Sequence, residues 1–125
     1  MTKEEKQLLL KDLCARLLYG VKMRYVEDLV VKKESHTITL NNVYLEHIIM
    51  GDADIKPYLR PMSSMTKEER EEYFLLSHRD IDREDNNILI EEASELLEWL
   101  NKKMFDYRGL IPMDLALKAP KDMYK

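Results

Sequence analysis

Glycine, proline and cysteine are all scarce in this 125-residue sequence, which contains three, four and one of them. Three scattered glycines cannot build a phosphate-binding loop, and nothing else in the sequence specifies a cofactor. The single Cys14 excludes an internal disulfide and a thiolate-rich zinc site. Because Cys14 lies in an apolar helical stripe, we expect its thiol to be buried and unreactive.

An excess of basic charge is also absent, since 20 basic and 24 acidic residues give a formal net charge of −4. This balance disfavours nucleic acid as a partner. No apolar run reaches the roughly 20 residues that span a bilayer, and the N-terminus lacks the apolar core of a signal peptide. The sequence therefore predicts a cytoplasmic protein without a membrane partner, folded as one domain over residues 1–125.

Two identical helix-start signals are the clearest local features of the sequence. Thr2 with Glu5, and Thr66 with Glu69, each form a capping-box pattern within the sequence Met-Thr-Lys-Glu-Glu. Gly20 follows the first apolar helical stripe at the position of a C-terminal cap. The apolar periodicity predicts helices at about residues 3–18, 66–78 and 89–103.

Between the first two helices the hydrophobic period changes from helical to two. This alternation predicts strands at about residues 21–25, 29–31 and 36–41, and one or two further strands within 43–50. Asn41-Asn42 is a predicted tight turn. Short strands joined by tight turns are typical of a small antiparallel meander, which could be an open sheet or a small SH3-like barrel.

Pro57 and Pro61 interrupt the sequence between the predicted sheet and the second helix. A proline cannot donate to a sheet ladder, so we expect residues 55–61 to leave the sheet as an extended strap. After Phe105 the sequence predicts an irregular, packed tail with at most a short helical turn. The fold class is therefore α+β, with an N-terminal helix, a small meander, two C-terminal helices and this tail.

Three segments together carry a family resemblance. They are residues 4–17, residues 55–69 (Ile-Lys-Pro-Tyr-Leu-Arg-Pro-Met-Ser-Ser-Met-Thr-Lys-Glu-Glu) and residues 99–125, which include Phe-Asp-Tyr-Arg-Gly-Leu-Ile-Pro. The sequence resembles a family of small uncharacterised proteins from gut Bacteroides and their phages or other mobile elements. It departs from the family pattern at Leu18, where a proline is usual before Tyr-Gly-Val. The resemblance implies no reaction, cofactor or ligand.

An acidic stretch offers the best pattern for metal binding. The oxygen-bearing residues match the spacing of a helix–loop–helix calcium site: Asp80, Asp82, Glu84, Asn86 and Glu91. However, Asp85 stands where the sharp turn needs glycine, and Asn87 stands where an apolar residue is usual, so a solvated loop is the favoured interpretation. His36, His47 and His78 have no metal-binding spacing, and Ser63 and Ser64 are better explained by turn and capping chemistry.

Aromatic and arginine residues of the kind enriched in binding hot spots are the remaining candidates for a site. The candidate binding residues are Tyr58, Arg60, Trp99, Tyr107 and Arg108. The alternative is that they form the seam of the core. From these residues we predict a non-catalytic protein-interaction module with an unidentified protein partner, and the family resemblance implies a phage or mobile-element origin. The competing prediction is a domain that binds a small ligand or a metal, or is enzymatic.

Overall fold

The structure is a computed structural model, and it describes residues 1–28, 33–50, 54–78 and 90–124. Within these ranges the chain forms four α-helices and a four-stranded mixed sheet, so the predicted α+β class is confirmed. The helices are α1 (Lys3–Arg16), α2 (Asn42–Met50), α3 (Lys67–Ser77) and α4 (Ile90–Lys102). The strands are β1 (Lys22–Asp28), β2 (Lys33–Thr39), β3 (Asp54–Leu59) and β4 (Leu117–Lys118). No helix in these ranges is long and apolar enough to cross a membrane.

Helix α1 begins at the first capping box. The Thr2 N–H donates to Glu5 Oε1 at 3.1 Å, and the Glu5 N–H donates to Thr2 Oγ1 at 3.1 Å. A 3-10 turn at Leu17–Tyr19 follows the helix and ends at Gly20, whose φ of 73° is a left-handed conformation that glycine adopts at little cost. The predicted first helix and its glycine cap are confirmed.

The buried face of α1 differs from the predicted stripe. Leu9 and Leu13 are buried as expected, but Asp12 and Arg16 are the other buried residues of this helix. Since one residue along a helix is a rotation of about 100°, this charged pair turns Cys14 away from the core. Cys14 is exposed, so the prediction of a buried thiol is wrong.

Residues 42–50 form helix α2, and the strands predicted there are wrong. Asn41 acts as the helix N-cap, because its Oδ1 accepts a hydrogen bond from the Tyr44 N–H at 3.1 Å. Ile48 is buried in the core, and Tyr44 and Leu45 pack against the same core cluster. These three apolar positions have helical spacing, so the Asn41-Asn42 pair starts a helix instead of turning a hairpin.

The sheet has the strand order β2-β1-β3-β4. Strand β1 pairs antiparallel with both β2 and β3, so that Met23 lies opposite Ile38 on one side and Pro57 on the other. Strand β4 pairs parallel with β3, and the sheet is therefore mixed, where an antiparallel meander was predicted. Strands β2 and β4 are the two edges, so the barrel alternative is not confirmed. The strand predicted at 29–31 lies outside the described residues.

The predicted strap is part of the sheet. Residues 55–59 belong to β3, which lies between β1 and β4, and Pro57 is fully buried there. The ladder from β3 to β4 begins only at Tyr58, so it needs no N–H from Pro57. The expectation that these residues leave the sheet is wrong, although their extended backbone is as predicted.

Two hydrophobic clusters make up the core. The larger one joins α1, the sheet, α2 and the tail, and its buried members are Leu9, Leu13, Val21, Met23, Leu40, Ile48, Ile55, Leu59, Met104, Leu110, Leu115 and Ala116. The smaller one consists of Met65, Leu100 and Phe105. It joins the starts of α3 and the tail to the end of α4.

The second half follows the sequence prediction closely. Helix α3 begins at the Thr66 capping box, and α4 ends just before Met104, whose φ of 64° is the left-handed conformation typical of a helix C-terminus. Turns and the two-residue β4 make up the tail after Phe105, in agreement with the predicted irregular packing.

Candidate functional site

Arg60 is fixed at the point where β3 ends. Its N–H donates to the Met104 carbonyl at 2.7 Å, and its own carbonyl accepts from the Asp106 N–H at 2.8 Å. Its guanidinium donates both Nη1 and Nη2 to the carboxylate of Glu69 at 2.8 and 2.7 Å. Main chain and side chain of Arg60 therefore tie the sheet to α3 and to the start of the tail.

Glu69 is a nearly buried carboxylate with three donors. Besides Arg60, the Thr66 N–H donates to it at 2.9 Å as the second half of the capping box. The hydrogen bonds from Arg60, joined by the bond from Thr66, lower the pKa of Glu69 from 4.5 to about 2, although burial opposes this change. Glu69 is therefore ionised throughout the physiological pH range and is committed to holding the start of α3.

Phe105 contacts two of the predicted binding residues. The Arg60 guanidinium lies 4.2 Å from the centre of its ring, and the Trp99 ring stacks on it with centroids 5.6 Å apart. Trp99 in turn donates its Nε1–H to Glu72 at 2.8 Å. Arg60 and Trp99 thus pack as one stack about a fully buried phenyl ring.

Tyr107 and Arg108 lie at a different centre, around the buried carboxylate of Asp12. Arg108 donates to Asp12 at 3.2 Å, and Arg16 donates to it twice, at 2.9 and 3.0 Å. Both guanidinium groups lie over the Tyr107 ring, at 5.2 Å for Arg16 and 4.9 Å for Arg108. Arg16 also donates to the Phe105 carbonyl at 2.6 Å, which links the two centres.

The Asp12–Arg16 pair was missed by the sequence analysis. Both side chains are 0% exposed. Loss of either one would leave the other as an unpaired buried charge, which is energetically costly. The signal was present as two opposite charges four residues apart on the apolar stripe of α1.

Tyr58, the fifth candidate, takes part through its backbone. Its carbonyl accepts from the Tyr124 hydroxyl at 2.6 Å, and that hydroxyl accepts from the Lys22 N–H at 2.8 Å. The β1–β3 ladder ends one position earlier, so Tyr124 bridges the two strands where they separate. Burial raises the pKa of the Tyr124 phenol to about 12, so it stays protonated as a donor.

A surface cleft of about 660 Å³ lies beside these contacts. One wall is formed by the end of β3, the turn after it and the first turns of α3; we call this the α3 wall, and its lining residues are Arg60, Pro61, Ser64, Thr66, Glu68, Glu69 and Glu72. The opposite side is the tail wall, comprising Lys118, Ala119, Pro120, Lys121, Asp122, Met123 and Tyr124, together with Lys103 at the end of α4.

The five predicted binding residues differ in whether they line this cleft. Of the five, only Arg60 lines the cleft. Trp99 contacts Glu72 of the α3 wall, and Tyr58 contacts Tyr124 of the tail wall. Tyr107 and Arg108 lie away from the cleft, around Asp12 of α1. The tail wall was missed because its residues approach Arg60 only through the β3–β4 pairing and the Tyr124 hydrogen bonds. The cleft is therefore an arrangement of two segments far apart in sequence.

The described residues do not test the calcium-site prediction. The proposed calcium ligands Asp80, Asp82, Glu84 and Asn86 lie outside the described residues, as does the side chain of Glu91. In the part of the chain that the structure covers, no group of three His, Cys, Asp or Glu residues is placed to hold a metal ion. Ser64 donates its hydroxyl to the Pro61 carbonyl at 2.7 Å, as expected for turn chemistry.

Comparison with known proteins adds no relative, since no family model, no curated protein and no solved structure matches this chain. Function is therefore inferred from the geometry of the cleft and from the chemistry of the groups that line it.

Proposed function

We propose that this chain is a non-catalytic protein-interaction module that binds a segment of a partner polypeptide in the cleft between the α3 wall and the tail wall. The observation that carries this proposal is the cleft itself, with a volume of about 660 Å³. Binding pockets of about 300–1,000 Å³ are typical of specific ligand sites. A phage or mobile-element origin stays a prediction from the sequence resemblance.

Rigid support of the α3 wall favours binding. Arg60 and Glu69 hold each other by two hydrogen bonds, and Phe105 packs against the back of the arginine. A wall that is ordered before the partner arrives loses less conformational entropy on association. The apolar surface of Pro61, Pro120 and Met123 would be covered by the partner, and the charged groups at the rim would be left to set its orientation.

The ionisation of Glu69 and Tyr124 supports a non-catalytic role for these two groups. General acid–base catalysis works best with a pKa near the working pH. Here the pKa of Glu69 is lowered to about 2 and that of Tyr124 is raised to about 12. Both groups are also committed to hydrogen bonds within the fold, so neither is placed to exchange a proton with a ligand.

Selection from a random peptide library displayed on phage tests the proposal directly. Wild-type protein would be the target, and each enriched peptide would then be measured against Ser64→Trp, which places a large ring in the cleft. Ser63→Trp is the matched control, because Ser63 is exposed, adjacent in sequence and not part of the cleft lining. We expect peptides that bind wild type and Ser63→Trp equally but lose at least about tenfold in affinity for Ser64→Trp, which corresponds to about 1.4 kcal/mol.

Two results would contradict the proposal. One is the absence of any enriched peptide that distinguishes the two tryptophan variants. The other is thermal stabilisation by small molecules or metal ions without peptide binding, which would favour the competing small-ligand prediction. Both variants should retain the wild-type circular dichroism spectrum, so that loss of the fold is not mistaken for loss of the site.

A further inference from the structure

The two walls of the cleft carry opposite charge. On the α3 wall, Glu68 and Glu72 are exposed and lie four residues apart on one face of the helix. Glu69 adds no free charge because Arg60 neutralises it. The wall therefore presents two negative charges to the cleft.

The opposite wall is basic. Lys118 and Lys121 are exposed, Lys103 is partly exposed, and Asp122 is the acidic residue among them. Three lysines outnumber the one aspartate, so the tail wall is formally basic. Among the residues that the structure describes, no ion pair joins Glu68 or Glu72 to the lysines of the tail wall. The two groups of opposite charge are therefore not paired with each other, and the Trp99 indole that donates to Glu72 leaves its negative charge in place.

We propose that the cleft selects a peptide segment that carries charges of both signs, with a basic side chain against Glu68 and Glu72 and an acidic side chain against Lys118 and Lys121. This inference rests on the proposed function and names the chemistry of its ligand. Complementary charge across an interface fixes the orientation of a ligand and disfavours wrong ones. An extended peptide that crosses the cleft can place a basic side chain at the α3 wall and an acidic side chain at the tail wall.

The same arrangement argues against ligands of one sign. A polyanion such as single-stranded nucleic acid would meet the lysines but would also place phosphates beside two carboxylates, and like charges in contact are repulsive. A wholly basic segment would be repelled by the lysines of the tail wall. The cleft therefore discriminates by the arrangement of charge along the ligand more than by its total charge.

The test compares peptide selection on wild type with selection on Lys118→Glu/Lys121→Glu. From wild type we expect enriched peptides with both a Lys or Arg and an Asp or Glu at fixed separation. Against the double variant these peptides should lose at least about tenfold in affinity, and a new selection on it should replace the acidic position by a basic one. Lys3→Glu/Lys11→Glu is the control, because it changes the net charge equally at exposed sites on α1 and should bind as wild type does.

The outcomes separate the two proposals. Peptides that are sensitive to Ser64→Trp but show no charge preference, or bind the two double variants equally well, would overturn this inference and leave the proposed function standing. Failure to enrich any peptide sensitive to Ser64→Trp would overturn both. Single-stranded oligonucleotides measured in parallel should not compete with the selected peptides, and effective competition would also count against the inference.

Discussion

The two Met-Thr-Lys-Glu-Glu segments begin α1 and α3 with the same pair of hydrogen bonds, yet their surroundings differ. In both boxes the threonine accepts from the glutamate N–H and the glutamate accepts from the threonine N–H, at 2.9–3.1 Å. Met1 is 72% exposed, whereas Met65 is 7% exposed and packs in the smaller core cluster. Arg60 pairs with Glu69, and the described residues contain no arginine that pairs with Glu5.

This difference shows what a local signal determines and what it leaves open. The five-residue sequence is enough to start a helix, because the threonine and glutamate satisfy N–H groups at its N-terminus. Whether that start lies at the surface or forms part of a site depends on which residues outside the helix approach it. At α3 those residues are Arg60 and Phe105, and they turn a helix cap into one wall of the cleft.

Among the substitutions that test this difference between the two capping boxes, Arg60→Met should lower the free energy of unfolding most. The change removes both hydrogen bonds to Glu69 and the cation over the Phe105 ring, and it leaves a nearly buried carboxylate without its partner. We expect the free energy of unfolding, measured by urea denaturation, to fall by about 3 kcal/mol.

Arg70→Met is the matched control for this loss. Arg70 is an exposed arginine on α3 that donates to the Met65 carbonyl at 3.3 Å, and its replacement should cost about 0.5 kcal/mol. Equal losses for the two variants would mean that the Arg60–Glu69 pair does not distinguish the second capping box from the first.

The local features of this comparison could be predicted from sequence, and the tertiary ones could not. Capping boxes, the Gly20 cap and the period-two pattern at Val21–Tyr25 depend on residues within a few positions of one another. The apolar residues of 43–50 suit a strand or a helix, so their pattern alone does not predict α2. The Asn41 cap favours the helix. A proline predicts a position outside the sheet, and Pro57 is tolerated in β3 because the pairing with β4 begins only at Tyr58.

The candidate site shows the same division more strongly. Residue types favoured in binding led to Arg60 and Arg108, but their partners Glu69 and Asp12 lie 9 and 96 residues away. Nothing local to either arginine specifies that partner. The tail wall depends likewise on Tyr124, whose hydroxyl reaches across 66 residues to the Tyr58 carbonyl.

Met65→Ala should cause the second largest loss in the free energy of unfolding. Met65 precedes the N-cap of α3 and is buried with Leu100 and Phe105, so its truncation leaves a cavity in the smaller core cluster. We expect a loss of about 2 kcal/mol in the free energy of unfolding by urea denaturation. Met50→Ala is the control, because Met50 is 75% exposed and should change stability by less than about 0.5 kcal/mol. If the two substitutions cost the same, the burial of Met65 is not what anchors the second box.

The smallest effect, and the most specific, is the pH dependence that Glu69 contributes. The folded-state pKa of Glu69 is about 2, below its ordinary value of 4.5, so the folded protein binds the proton less readily than the unfolded chain does. Its contribution to stability is therefore complete above about pH 4.5 and is lost as the pH falls toward 2. The excess stability of wild type over Glu69→Gln should be about 1–2 kcal/mol at pH 7, allowing for solvent screening at this partly accessible pair, and should shrink across that window.

Glu5→Gln provides the comparison at the first box. The hydrogen bond from the Thr2 N–H lowers the pKa of Glu5 as well, so its variant should show the same sign of pH dependence. The effect should be smaller, because Glu5 is less buried than Glu69 and, among the described residues, no arginine favours its ionised form. Urea denaturation of wild type and the two variants at a series of pH values between 2 and 7 measures both differences. Identical pH profiles for Glu5→Gln and Glu69→Gln would show that the capping box alone lowers the pKa, and the Arg60 contact would then lose its assigned role in the α3 wall.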